Sequence, residues 1–215
     1  MINLENLKQR LFSALLLIPI VFICVFNGGF LYNLLIVIAV VILCLELNNI
    51  IKDSEISFKQ QIVYSIVYIA LPSASLIFLR SMDNGLESII YILFVVWATD
   101  SAAFFGGNYL KGPKLMPSVS PNKTISGALC GILGAMIIGL LSYIFIDNIK
   151  LIQFLILSGF LSIIAQIGDL FESKLKRLYN IKDASDLIPG HGGLLDRVDS
   201  LLFVAPAALL FFVLF

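Results

Sequence analysis

Apolar residues fall in long unbroken blocks separated by short polar breaks. Runs of roughly 17–25 residues, the length that spans a bilayer core, occur at about 11–27, 30–47, 62–80, 88–108, 125–146, 151–169 and 196–215. They predict an all-α fold, a polytopic transmembrane helical bundle of about seven spans. On one side the connections are tiny: Asn27-Gly28-Gly29, Ser81 to Glu87, and Asp147 to Lys150. On the other side two long connections, about 109–124 and 170–195, are rich in Gly, Pro, Lys and Asp. Long connections inside a compact domain are usually functional. The first run follows Lys8 and Arg10 but lacks an A-x-A-like cleavage site. It therefore reads as an uncleaved anchor rather than a signal peptide.

The basic residues orient this partition. With the amino terminus inside, the cytoplasmic segments hold Lys8, Arg10, Lys52, Lys59, Lys111, Lys114 and Lys123, then Lys174, Lys176, Arg177, Lys182 and Arg197. Only Arg80 and Lys150 remain outside. Cytoplasmic loops carry the excess of Lys and Arg, so the expected topology is N-in and C-out.

Composition removes the other classes. Hydrophobic residues make up 60% of the 215 and charged residues 13%, against about 45–50% and 25% in soluble domains. A soluble globule, a disordered chain, a nucleic-acid-binding module and a disulfide scaffold are all excluded. The net charge is zero and points to no partner. Cys24, Cys44 and Cys130 lie scattered in apolar stretches with no CxxC, and read as packing residues. No repeat or composition break marks a second domain. The expectation is one membrane domain over 1–215, with scaffold spans in 1–95 and a catalytic part in 96–215 that carries a cytoplasmic loop at 170–199.

Candidate chemistry begins with acids in or beside the spans: Glu46, Asp100 and Asp169. A charge at the centre of the hydrocarbon costs at least about 2.5–3.5 kcal/mol, so each needs a partner or a wet cavity. Glu46 lies near the cytoplasmic end of its run, where snorkelling explains it as well as function does. Asp100 is mid-span and reads as functional. At 1.5 Å per residue from Leu151, Asp169 falls about 27 Å along its helix, at the cytoplasmic boundary. Asp196 and Asp199 open the last span three residues apart and share a helical face. Such acids are commonly stabilised by the helix dipole alone. Three of them at one depth would repel unless a cation joined them, and oxygen ligands without Cys or His point to Mg²⁺.

The surroundings favour a ligand. Pro189-Gly190-His191-Gly192-Gly193 allows close backbone approach, and Lys174, Lys176, Arg177 and Lys182 precede it. Ser120-Pro121-Asn122-Lys123-Thr124 leads into the fifth span, so the amino ends of two helices face the same region, as at anion sites. Carboxylates for a divalent ion beside basic loops describe a polyphosphate site. A basic loop alone would indicate only topology or headgroup attraction. No P-loop is present, and the D-G-x-x-A-R…D-x-x-x-D pattern of CDP-alcohol phosphotransferases is missing.

Ser173 to Asp199 reads S-K-L-K-R-L-Y-N-I-K-D-A-S-D-L-I-P-G-H-G-G-L-L-D-R-V-D. It resembles the signature of the phosphatidate cytidylyltransferase (CDP-diacylglycerol synthase) family at every specified position. W-A-T-D-S-A-A-F-F-G-G from Trp97, S-P-N-K-T from Ser120 and Q-I-G-D from Gln166 are similar to three further family segments. The resemblance runs from about Trp97 to the end. Ser126 stands where the family commonly has Glu, and the amino-terminal half is short.

The resemblance implies that CTP and phosphatidate give CDP-diacylglycerol and pyrophosphate. Asp169, Asp196 and Asp199 would be the Mg²⁺ ligands, with Asp100 and Arg197 catalytic beside them. Lys123, Lys176, Arg177 and Arg197 would bind phosphates, helped by amides near Gly192 and Gly193. Ser120, Asn122, Thr124, Ser173, Lys182, Asp183 and His191 complete the implied substrate site. Phosphatidate would enter from the inner leaflet of a bacterial-type plasma membrane and CTP from the cytoplasm. The resemblance is compatible with a second cation and with a homodimer, and no nucleic-acid partner is implied. Two rivals are a cytidylyltransferase for another phosphorylated lipid, such as an isoprenoid-glycerol phosphate, and an ion or substrate transporter. Transport would place acids along a whole pathway, whereas here they collect at one face.

Overall fold

A computed structural model of the chain describes residues 4–52, 57–144 and 150–214. Residues 147–149 of the third short connection and Phe215 lie outside these, as do the side chains of Lys8 and Arg10. The helices are α1 (Leu4–Asn27), α2 (Gly29–Ile51), α3 (Phe58–Ser65), α4 (Leu71–Ser81), α5 (Gly85–Leu110), α6 (Ile125–Ser142), α7 (Leu151–Leu178) and α8 (Leu195–Leu214). Among the described residues, six helical rods are long and apolar enough to cross a membrane, with α3 and α4 joined into one. The apolar part of α1 adds a shorter one, Leu11–Asn27. The protein is an α-helical polytopic membrane protein, and its outward surface is a belt of Leu, Ile, Phe and Val side chains.

One element departs from the all-α expectation. Part of the stretch read as a loop folds into an antiparallel hairpin, β1 (Lys114–Met116) and β2 (Ser120–Thr124). Thr124 ends it by capping α6, its hydroxyl accepting from the Gly127 amide at 3.1 Å. Ser126 donates to the Lys111 carbonyl at the end of α5. The Ser126 hydroxyl thus closes the hairpin onto two helices.

Helices α5, α6 and α7 pack closely because α6 turns small residues inward: Gly127, Gly131, Ala135 and Gly139 recur every four positions and are buried. Small residues let backbones approach where lipid supplies no hydrophobic drive between helices. Polar contacts fasten the seam, with Tyr91 and Ser158 at 2.7 Å and Thr99 donating to Ser162 at 3.0 Å. A Cβ at Gly139 would lie 2.8 Å from the Phe154 carbonyl oxygen. Gly139→Val should therefore destabilise the bundle by about 1–3 kcal/mol, read as a lower Tm in detergent.

A second apolar cluster joins the amino-terminal half to the 183–195 loop. Leu43, Leu47, Ile50 and Ile51 of α2 pack with Tyr68, Ile69, Ala184, Leu195 and Leu202. Between α3 and α4 the chain makes one π-helical turn, Ile66–Ala70, in which the Leu71 amide bonds the Ile66 carbonyl. Pro72 follows it. Proline has no N–H for the carbonyl four residues back and its ring crowds that group, so the turn preceding it widens.

Candidate active site

A cavity of about 650 Å³ with charged side chains in its wall opens between α5, the hairpin, α6 and α7. That volume is typical of small-molecule sites. Asp100, Asn122, Lys123, Thr124, Gln166 and Asp169 are among its lining residues. Lys123 arrives on β2 and Asp169 on the polar end of α7, and the two form an ion pair. Ser173, one turn beyond Asp169, leans on it with its hydroxyl at 3.5 Å. Gln166 turns to α6 and donates to the Ala128 carbonyl at 3.3 Å. Asp100 is close enough to feel the charges of Asp169 and Lys123.

Behind this cavity lies a second group of charges. Lys176 bridges Glu172 on its own helix and Asp196 on α8, at 2.7 Å to each. Glu172 is 1% exposed, deeply buried for a carboxylate. Asp199, one turn along α8 from Asp196, stands between the groups. It feels Asp169, Asp100 and Lys123 on one side and acts on Glu172 on the other. The Ser200 amide donates to its Oδ1 at 2.7 Å. The resulting layer runs from Asp100 through Lys123, Asp169 and Asp199 to Glu172, Lys176 and Asp196. Two lysines interleave the acids and offset their mutual repulsion.

The expectation grouped Asp169, Asp196 and Asp199 around one ion. The structure brings Asp169 and Asp199 into one field with Asp100, and holds Asp196 elsewhere. Besides Lys176, Asp196 accepts from the Gly193 amide at 2.8 Å and the Ala184 amide at 3.0 Å. Both its oxygens are thereby engaged in closing the loop. Among the described residues, no three His, Cys, Asp or Glu side chains form a ready-made metal cage. The donors nonetheless suit Mg²⁺, which binds through one or two carboxylates and keeps several waters.

The loop amides expected to meet phosphate are also committed internally. Gly192 donates to the Ile188 carbonyl at 3.1 Å and accepts from the Ile188 amide at 2.9 Å, and Gly193 donates to Asp196. Gly192 has φ +88°, and a Cβ there would lie 2.8 Å from Asp196 Oδ2. A Cβ on Gly193 would lie 2.8 Å from Glu46 Oε1. The paired glycines thus let two carboxylates reach the loop backbone. Arg197 donates to the His191 carbonyl from Nε at 3.1 Å and Nη2 at 2.5 Å. Arg177 contacts the Val119 and Ile181 carbonyls at 3.5 and 3.4 Å, tying the hairpin to α7. Lys182 and Asp183 are exposed, and Ser120 pairs with Met116 in the hairpin.

Glu46 turns into the fold rather than snorkelling toward the membrane surface. It is 3% exposed and accepts from Ser185 Oγ at 2.6 Å, the Leu194 amide at 2.9 Å and the Leu195 amide at 2.7 Å. An α2 carboxylate thereby caps α8 and clamps the loop. Ser13 of α1 adds a bond to the Pro189 carbonyl at 2.9 Å. Glu172 was legible only as a carboxylate four residues before Lys176, a common ion-pair spacing.

Comparison with known proteins gives this arrangement a lineage. The cytidylyltransferase family matches residues 47–215. The phosphatidate cytidylyltransferase of Rickettsia felis is 36% identical over 217 aligned residues, covering 97% of this chain and 92% of its own. That of Bacillus subtilis is 40% identical over 77% of this chain and 63% of its own length. That of Brucella suis reaches 47% over 67% of this chain and 53% of its own. With half-buried acids and lysines gathered at one end of a membrane bundle, and relatives aligned along nearly its whole length, the chain belongs to the phosphatidate cytidylyltransferase family of enzymes.

Proposed function

We propose that the protein transfers the cytidylyl group of CTP to phosphatidate. A phosphate oxygen of the lipid bonds to the α-phosphorus of CTP, the bond from that phosphorus to the α–β bridging oxygen breaks, and pyrophosphate leaves. The observation that carries this reading is the cavity beside the Lys123–Asp169 pair, in a chain whose relatives bear this activity in their names. Transfers at phosphorus depend on holding the reactants in line and neutralising their charge, so no nucleophilic side chain is required.

Asp169 and Asp199, with Asp100 beside them, are the residues that would hold a Mg²⁺ ion, which when bound supplies neutralising charge to the triphosphate. Lys123 exchanges its ion pair with Asp169 for a phosphate oxygen of CTP. That exchange frees the carboxylate when nucleotide arrives and keeps the half-buried lysine paired in both states. Asp196, Lys176 and Arg197 hold the loop that closes one side of the site, and His191 fixes Arg197 through its carbonyl. Seven spans with the amino terminus inside place the cavity at the cytoplasmic face, a reading supported by the side on which the basic residues fall. Phosphatidate then reaches the acids laterally from the inner leaflet.

The test is purified protein with CTP labelled at the α-phosphate and a panel of lipid acceptors. Label entering a CDP-lipid with phosphatidate, and with no other acceptor at comparable rate, is the expected result. Preference for an isoprenoid-glycerol phosphate would assign a different lipid, and no transfer to any acceptor would refute the reading. Lys123→Ala should raise the KM for CTP by tenfold or more, since a charge-assisted bond contributes about 1.5–3 kcal/mol. A change confined to the KM for phosphatidate would move Lys123 to the lipid phosphate.

A further inference from the structure

Tyr68 sits on the π-helical turn Ile66–Ala70. Such turns are uncommon and concentrate at functional sites. Its ring is wedged between α7 and α8, edge-on to Phe171 at 5.2 Å and to Phe203 at 5.9 Å between centroids. Those two rings also meet each other at 5.4 Å. The aromatic contacts explain the ring but leave the hydroxyl unexplained. Tyr68 is 7% exposed, and its Oη has no hydrogen-bond partner among the described residues.

Buried polar atoms in native proteins are nearly always satisfied, and buried tyrosine hydroxyls in particular find partners. The groups whose charge reaches this one are Asp199 foremost, then Glu172, Asp196 and Asp169. An apolar π-turn from the amino-terminal half therefore delivers a neutral donor to the centre of the carboxylate layer. Opposite it, Asp199 has one recorded hydrogen bond among the described residues, from the Ser200 amide beside it in sequence. Glu172 in this layer likewise keeps an oxygen, Oε1, without a hydrogen-bond partner among the described residues. A phenylalanine would make the same ring contacts without leaving a polar atom in an apolar wedge. The hydroxyl thus has a use that packing does not supply.

We propose that Tyr68 is a positioning residue for the cytidylyl transfer: its hydroxyl, unpartnered in this structure, donates a hydrogen bond to Asp199 when that carboxylate turns to hold the cation, and fixes it there. The proposal rests on the reading of Asp199 as a group that holds the divalent ion. Tyr68 is not among the residues that line the cavity, so its removal acts on the metal-holding geometry and leaves the lipid site alone. Without the hydroxyl, Asp199 is free to rotate toward solvent or toward Lys123.

Tyr68→Phe tests this with the ring preserved. Three quantities are measured on the full-length protein in detergent: thermal stability, Mn²⁺ affinity by titration without CTP, and steady-state kinetics with CTP and phosphatidate. The expected result is a Tm close to wild type, Mn²⁺ binding weakened at least fivefold, and kcat lowered about tenfold with an unchanged KM for phosphatidate. Losing a group that orients a metal ligand typically weakens metal affinity or activity by 10–100-fold. Wild-type Mn²⁺ affinity and kcat in Tyr68→Phe would overturn the proposal, as would a lower Tm with unaltered Mn²⁺ affinity, which would make the hydroxyl merely structural. If the wild-type protein forms no CDP-lipid at all, the functional reading fails. The Mn²⁺ titration of the two proteins then still decides the role of Tyr68.

Discussion

Asp199→Asn should lower turnover by at least a hundredfold while leaving the protein folded. Asparagine preserves the size of the side chain and can still accept from the Ser200 amide, the bond seen at 2.7 Å. What it removes is one negative charge at the point between the cavity acids and the Lys176 bridge. Preorganised charge of this kind is worth about 10²–10³ in kcat, and direct metal ligands commonly cost more than the groups that orient them. Asp196→Asn makes the discriminating comparison. Its carboxylate is engaged by Lys176 and two backbone amides, so this change should cost stability first, with Lys176 left half-paired. Measuring kcat and Tm on both variants separates the roles. Equal loss of kcat with unchanged Tm in both would return Asp196 to the metal-binding group.

The second large effect is expected at Glu46, far from Asp196 in sequence but against the same loop. Glu46→Ala strips the partner from the Leu194 and Leu195 amides and from the Ser185 hydroxyl. Each buried group left unsatisfied costs about 1–3 kcal/mol, so roughly 3 kcal/mol or more should be lost. At about 2–4 °C per kcal/mol for a protein of this size, the Tm should fall by roughly 6–12 °C. Activity should drop at least tenfold, because the loop that positions Asp196 and Arg197 is released. Glu46→Gln retains one acceptor oxygen and should recover part of both losses. A fully active and stable Glu46→Ala protein would contradict the clamp.

Length and apolarity carried the helices. The runs at 88–108 and 125–146 became Gly85–Leu110 and Ile125–Ser142, because in lipid a backbone must satisfy itself and a long apolar run has few alternatives to a helix. The run at 151–169 was too short. Helix α7 continues to Leu178, where Glu172 and Lys176 stop the hydropathy signal but not the helix. The hairpin at 114–124 was read as a loop, since three- and five-residue strands among Gly, Pro and Lys leave no periodicity. Asp169, Asp196 and Asp199 were legible as acids at one depth because position along a membrane helix is itself a coordinate. Which acid meets which base was not. Glu46 with Leu195, or Tyr68 with the α7–α8 seam, are pairings made by the packing of distant segments, and no spacing along the chain announces them. The same blindness hid what Gly192 and Gly193 do within the fold, where their missing side chains make room for Asp196 and Glu46.

The central claim is that Asp169 and Asp199 together hold a divalent ion against the triphosphate, with Lys123 on the nucleotide. Anomalous scattering from crystals grown with Mn²⁺ and CTP locates that ion directly. A single strong peak within ligand distance of both carboxylates, with Lys123 turned from Asp169 to a phosphate, is the result this account predicts. A peak on Glu172 or Asp196, or a nucleotide lying outside the cavity with the Lys123–Asp169 pair intact, would contradict it.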